Sequence, residues 1–142
     1  MLKSSHSVTE LAYHIVIVTK KRRPLLTGGV EELVMSECRR MIEHFEGEVL
    51  EMETDVDHIH ILARLSHKYS ISQVMNSLKG VSARIVRRDY GDVIQKQLKG
   101  TAFWSPSYYI ATTGDVTIEK IRRYVESQSD VDHRKVRPKR SR

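Results

Sequence analysis

The order in which two hydrophobic periods alternate along the chain is the strongest constraint on its fold. Residues 11–20 (LAYHIVIVTK) form an Ile/Val-rich run with the length and composition of a strand. Residues 30–46 switch to a helical period, with Val30, Leu33, Val34, Met41, Ile42 and Phe45 near one face and acids outside. Gly47 follows, and a glycine there is predicted to end the helix in the left-handed conformation. The period returns to two over residues 48–54 (EVLEMET) and 56–65 (VDHIHILARL), two strands predicted to form a hairpin turning near Asp55–Asp57. Residues 71–89 place Ile71, Val74, Met75, Leu78, Val81 and Ile85 at helical spacing. A linker is expected over 91–100, then a strand over 102–112 (AFWSPSYYIAT), entered through Pro106. A last helix is predicted with Asp115 as N-cap, running to about Ser129. The first six elements give an α+β chain of the ferredoxin-like, split βαβ kind, an antiparallel sheet with two helices on one face. The final helix is an addition to it. That architecture serves many functions, so function has to come from the site.

The length of 142 residues suits one core, and 39% hydrophobic with 30% charged residues is the composition of a soluble globular chain. No stretch approaches the ~18 apolar residues that cross a bilayer, and residues 1–9 contain no signal-peptide core. Cys38 is the only cysteine, which excludes an internal disulfide and a cysteine zinc cluster; the expected compartment is reducing cytoplasm. The net charge of +6 is unevenly placed. Residues 134–142 (RKVRPKRSR) hold six of the bases and no acid, so residues 1–133 are read as one formally neutral domain and 134–142 as a disordered basic tail. From Glu31 to Asp57 there are ten acids against two bases, and from His58 to Lys99 eight bases against two acids. The run Lys20-Lys21-Arg22-Arg23 and the second helix's Lys79, Arg84, Arg87 and Arg88 are candidates for a phosphate-attracting surface. Solvated faces and a simple terminal tail account for the same charges equally well.

Strand periodicity puts His58 and His60 on one face of their strand, where two imidazoles can share one divalent ion. Chance alone predicts about 0.3 His-x-His pairs in such a composition, so two ordinary surface histidines explain the motif at least as well. Asp55 and Asp57 are rival ligands, but strand alternation would turn both away from the histidines. The other histidines (His6, His14, His44, His67 and His133) are scattered and read as structural or exposed. On the last helix Tyr124 and Gln128 are one turn apart, beside an apolar stripe of Ile118, Ile121 and Val125 that can dock the helix. Alone, this is a stripe-edge tyrosine and a solvated glutamine. Trp104, Tyr108 and Tyr109 can stack on unpaired bases, although aromatics in a strand are more often core. Taken together, the two motifs suggest a mechanism. A phenol with a pKa of about 10 is a poor nucleophile unless its target is activated. A divalent ion on His58, His60 and the Gln128 amide oxygen would polarise a phosphate for attack by Tyr124.

The segments YHIVIVTKKRRPLL, VDHIHIL, LKGVSARIVRR, FWSPSYYIATTGD and IEKIRRYVESQ resemble the single-tyrosine HUH transposases of the smallest insertion sequences, which move as single-stranded DNA. The resemblance spans roughly residues 11–129 in the family's order and spacing. Val56 stands where proline is common in that family, and IVIV where a tryptophan is often found. The resemblance implies the ferredoxin-like fold, His58 and His60 as the HUH histidines, Tyr124 as nucleophile and Gln128 as third ligand. It further implies Mg²⁺ or Mn²⁺, a 5′-phosphotyrosine intermediate and DNA hairpins near the element's ends as partners. It implies a homodimer in which the tyrosine helix of one chain serves the histidines of the other. Competing readings are a non-catalytic single-stranded nucleic-acid-binding module, a metal-dependent phosphodiesterase using water, and a domesticated HUH transposase acting on dispersed repeats. The Lys/Arg-Gly-aromatic signature of RNA-recognition modules is absent.

Overall fold

The computed structural model describes residues 11–114 and 117–135. Strands β1 (Leu11–Val18), β2 (Glu48–Asp55), β3 (His58–Leu65) and β4 (Tyr109–Thr112) form one antiparallel sheet in the order β2-β3-β1-β4. The helices are α1 (Gly28–His44), α2 (Ile71–Leu98) and α3 (Ile118–Lys135). This is the α+β split βαβ arrangement expected from the alternating periods, with a helix added at the end.

Alternation along the strands sorts the sheet into two faces. Ile15, Ile17, Ile59, Ile61 and Ala63 are fully buried against Val34, Cys38 and Ile42 of α1 and Met75, Leu78 and Val86 of α2. Each such Val, Leu or Ile is worth about 1.5–3 kcal/mol of burial. Cys38 has no reactive thiolate there, because burial pushes its pKa up to about 12. The opposite face carries Val16 and Val18, covered by Val125 of α3. The sheet is therefore sandwiched, with α1 and α2 on one side and α3 on the other.

Several boundaries differ from the sequence reading. The expected 91–100 linker is a continuation of α2 to Leu98, with a kink at Tyr90 (φ −130°). Ile94 and Leu98 are buried, and their packing outweighs the ~1 kcal/mol that Gly91 costs a helix. Left-handed Lys99 caps the end. The 102–112 strand shrinks to Tyr109–Thr112, preceded by an irregular segment. Trp104 is drawn into the core, where its Nε1 donates to Ser82 Oγ at 3.0 Å, and its backbone makes only an isolated bridge to Thr19. Pro106 has no N–H to continue a ladder.

At the end of α1 it is Glu46, not Gly47, that takes the left-handed conformation (φ 65°). Gly47 is needed for room: a Cβ there would lie 2.6 Å from the Arg64 carbonyl oxygen. The expected cap Asp115 lies outside the described residues. Helix α3 starts at Ile118, where Thr117 Oγ1 accepts from Lys120 N at 3.1 Å, and it passes Ser129 to reach Lys135. Residues 136–142 of the basic tail also lie outside the described residues.

Candidate active site

The β1–β3 register sets Val18 beside His58 and Val16 beside His60, on the α3 side of the sheet. On the other flank, β2 places Asp55 beside His58 and Glu53 beside His60. His58 Nδ1 lies 2.9 Å from Asp57 Oδ1, whose second oxygen accepts from Arg22 Nε at 3.0 Å. Strand alternation had turned both aspartates away from the histidines. Asp57 instead sits in the two-residue turn Val56–Asp57, where alternation does not apply. Donor atoms of Asp55, Asp57 and His58 lie within 4.8 Å of one another. Arg22 reaches Asp57 from a 3-10 turn (Lys20–Arg22) in which Lys21 and Arg22 both have positive φ, about 1–2 kcal/mol of strain each.

His60 has a neighbour that sequence reading left aside. His14 on β1 is diagonal to it across the strand pair, and His14 Nδ1 lies 2.8 Å from His60 Nε2. Burial lowers the His60 pKa below the usual 6.5, and the nearby His14 and His58 rings add to this against the opposing pull of Glu53 and Glu51.

Helix α3 crosses this face by resting Val125 on Val16 and Val18, flanked by Ile121 and Tyr109. Ile118, expected in the docking stripe, is 76% exposed, so docking begins one turn later. Tyr124 and Gln128 do share a face, and it points at the segment before β4. Tyr124 Oη is 2.8 Å from Ser107 Oγ. The Gln128 amide oxygen accepts from Ser105 Oγ (2.7 Å) and Ser107 Oγ (3.0 Å), and Gln128 is buried rather than solvated. The Tyr124 ring packs on Tyr109, which pairs with Val16 and so lies two strands from His60, roughly 10 Å. The chain thus holds its histidine pair on the β3 side and its tyrosine–glutamine pair on the β4 side.

The basic candidates separate by environment. Lys79 is half-buried and donates to the carbonyls of Ser105 (2.8 Å) and Ser107 (3.1 Å), which fixes the segment that meets Tyr124. Arg23 bonds Thr101 Oγ1 and Arg87 the Thr101 carbonyl; Arg88 pairs with Asp89. Lys21, Arg84, Arg87 and Arg88 are exposed, and Lys20 is half-buried. A groove of about 480 Å³ runs between the β2–β3 turn and α3, with Arg22, Asp57 and His58 facing Ile121, Arg122 and Val125. Sequence reading missed His14, Ser105, Ser107 and Arg122 in these roles. For His14 the signal was parity: it alternates with Ile15 and Ile17 on the core side, but its neighbour on β3 is defined only by register.

The sequence profile of the family described as "Transposase IS200 like" matches residues 7–128. The chain belongs to that family. This family member is 34% identical over 128 residues to the transposase for insertion sequence element IS200 of Salmonella typhimurium, covering 90% of this chain and 83% of that one. It is 34% identical over 130 residues to the ISDra2 transposase TnpA of Deinococcus radiodurans, covering 92% of each. Among solved structures, a candidate transposase from Deinococcus radiodurans R1 superposes with a TM-score of 0.80 at 28% identity, covering 90% of this chain and 98% of that one. A REP-associated tyrosine transposase bound to a REP hairpin has a TM-score of 0.54 at 12% identity over 94% of this chain and 74% of that one, which shows the shared fold alone. Among the described residues, no helix is long and apolar enough to cross a membrane.

For a transposase of this family the donor set fits a divalent cation. Two imidazoles share a face, one of them, His58, already oriented by a carboxylate, and donor oxygens of Asp55 and Asp57 stand close to His58.

Proposed function

We propose that this chain cleaves and rejoins single-stranded DNA at insertion-sequence ends, with Tyr124 as nucleophile and a 5′-phosphotyrosine intermediate. The observation that carries the reading is His58, oriented by Asp57 on the same sheet face as His60, across a groove from the helix of Tyr124. His58 and His60 would hold Mg²⁺ or Mn²⁺, with Gln128 as third ligand once its amide oxygen gives up Ser105 and Ser107; such an ion supplies Lewis-acid polarisation of the scissile phosphate. The Tyr124 phenol gives up its proton as its oxygen bonds to phosphorus, the bond from phosphorus to the 3′-oxygen breaks, and that oxygen takes up one proton to leave as a 3′-hydroxyl, so protons balance. One phosphoester replaces another, so rejoining by the reverse attack needs no ATP. Arg22 and Arg122 line the groove where the phosphate would enter. Lys20, Lys21, Arg23, Arg84, Arg87 and Arg88 would hold the flanking backbone of a hairpin.

We further read the working unit as a homodimer that shares its active sites. The support is the placement of Tyr124 and Gln128 on the serines of the β4 side, two strands from His60. In a pair of chains, α3 of one copy can serve the histidines of the other.

The test uses single-stranded oligonucleotides from DNA flanking the gene, incubated with Mn²⁺ or with EDTA. Wild type and Tyr124→Phe are compared on denaturing and native gels. A covalent protein–DNA adduct from wild type alone, and only with metal, is the expected result. Shifted DNA with both proteins and no adduct would assign the chain to non-catalytic single-stranded DNA binding. Cleavage by both proteins without an adduct would assign it to water-mediated hydrolysis.

A further inference from the structure

His14 takes no part in the chemistry above, yet its Nδ1 lies 2.8 Å from Nε2 of the proposed metal ligand His60. Only one proton fits between two nitrogens at that distance. Where it sits decides what His60 can do. If His14 donates, His60 Nε2 is occupied as an acceptor and its Nδ1 carries the ring proton, leaving no lone pair for a cation. If His60 donates, its Nδ1 lone pair is available.

Metal-binding histidines as a rule give their other N–H to a fixed acceptor, which sets tautomer and ring orientation together. His58 already has such an acceptor in Asp57, 2.9 Å from its Nδ1, which leaves His58 Nε2 as its ligand atom. Among the described residues no carboxylate is hydrogen-bonded to His60, which has His14 instead. His14 is well placed to serve. It is half-buried on a central strand, and its backbone is paired with Leu62 of β3 on one side and Ala111 of β4 on the other. The two histidine rings lie 5.0 Å apart at 33°, held over the sheet surface.

We propose that His14 is a positioning residue of the metal site, accepting at Nδ1 the Nε2 proton of His60 and so fixing the His60 tautomer that presents Nδ1 to a cation. The inference rests on the reading of His58 and His60 as metal ligands. It makes the site a pair of matched units: a carboxylate behind one imidazole and a second imidazole behind the other.

Two readouts test it on the full chain. Long-range ¹H–¹⁵N spectra of the metal-free protein show which nitrogen of each histidine carries the proton. Titration with Mn²⁺, followed by the loss of the free-ion electron paramagnetic resonance signal, gives the affinity. Wild type is expected to show His60 protonated at Nε2 in a single tautomer. His14→Phe, which keeps a ring but offers no acceptor, is expected to mix the His60 tautomers and weaken Mn²⁺ binding about 10–100-fold. His14→Gln offers an amide oxygen as acceptor and is expected to recover most of both. His60 protonated at Nδ1 in wild type would overturn the proposal. So would His14→Phe with unchanged Mn²⁺ affinity, or His14→Gln no better than His14→Phe. His58→Ala and His60→Ala separate the two levels: if neither weakens Mn²⁺ binding, the cation is not held there and the underlying reading falls with the inference.

Discussion

Gln128 illustrates how a single polar side chain can be both buried and hydrogen-bonded. Its amide oxygen has two lone pairs and two serine donors, Ser105 and Ser107, the second of which also meets the Tyr124 phenol. Removing both hydroxyls in a Ser105→Ala/Ser107→Ala protein leaves a buried carbonyl without these donors. The expected cost is about 2 kcal/mol, read as a lower urea midpoint with an unchanged slope. Ser107→Ala alone should cost less than half of that, because Ser105 still serves the amide. His60 gives a second residue-level expectation. Its folded-state pKa lies below the usual 6.5, chiefly through burial and then through His14 and His58. Above that pH the ring is neutral in both states and contributes nothing. As pH falls through the window between the unfolded and folded pKa values, the unfolded chain takes up the proton first, so stability is lost. Metal-free wild type should therefore lose urea stability as pH falls below the usual histidine value of 6.5, and His60→Asn should flatten that slope.

At the scale of elements, two glycines at similar-looking positions carry opposite expectations. Gly47 follows α1 and leads into β2, and any Cβ would press into the Arg64 carbonyl and Ile42. Gly47→Ala is expected to cost about 1–3 kcal/mol, since backbone cannot move aside as a flexible side chain can. Gly80 lies inside α2, and a methyl group added there would meet nothing within 4 Å. Gly80→Ala is expected to add roughly 1 kcal/mol by restricting the unfolded chain and favouring helix. Urea denaturation of both single variants checks the pair. The hydrophobic period located α1, the β2–β3 hairpin and the first part of α2 to within a few residues. It failed at 91–108, where the outcome depended on partners remote in sequence. Ile94 and Leu98 extended the helix because a core was there to receive them, and Trp104 left the strand for a hydrogen bond to Ser82.

At the scale of the whole molecule, the sheet keeps α1 and α2 on one side and carries His58 and His60 on the other, with α3 laid across that face. If active sites are shared between copies, two inactive proteins can repair each other. A mixture of Tyr124→Phe and His60→Ala chains should form a DNA adduct that neither forms alone, carried by the His60→Ala chain, which retains the tyrosine. Absence of adduct in the mixture, with wild type active in parallel, would place tyrosine and histidines of one working site in the same chain. The readout is a denaturing gel with one variant carrying a size tag.

The sequence by itself determined which residues share a face. The two-residue period paired His58 with His60, the helical period paired Tyr124 with Gln128, and the order of periods specified the ferredoxin-like sheet. These are local properties, set by backbone geometry within a few residues. Only the tertiary structure decided what those faces meet. His14 stands by His60 because β1 and β3 pair in one register. Asp57 turns to His58 because it lies in a turn and is held by Arg22. Tyr124 and Gln128 meet serines rather than histidines because Val125 seats α3 on Val16 and Val18. Register and docking arise from contacts between segments far apart in the chain, and no period within one segment encodes them.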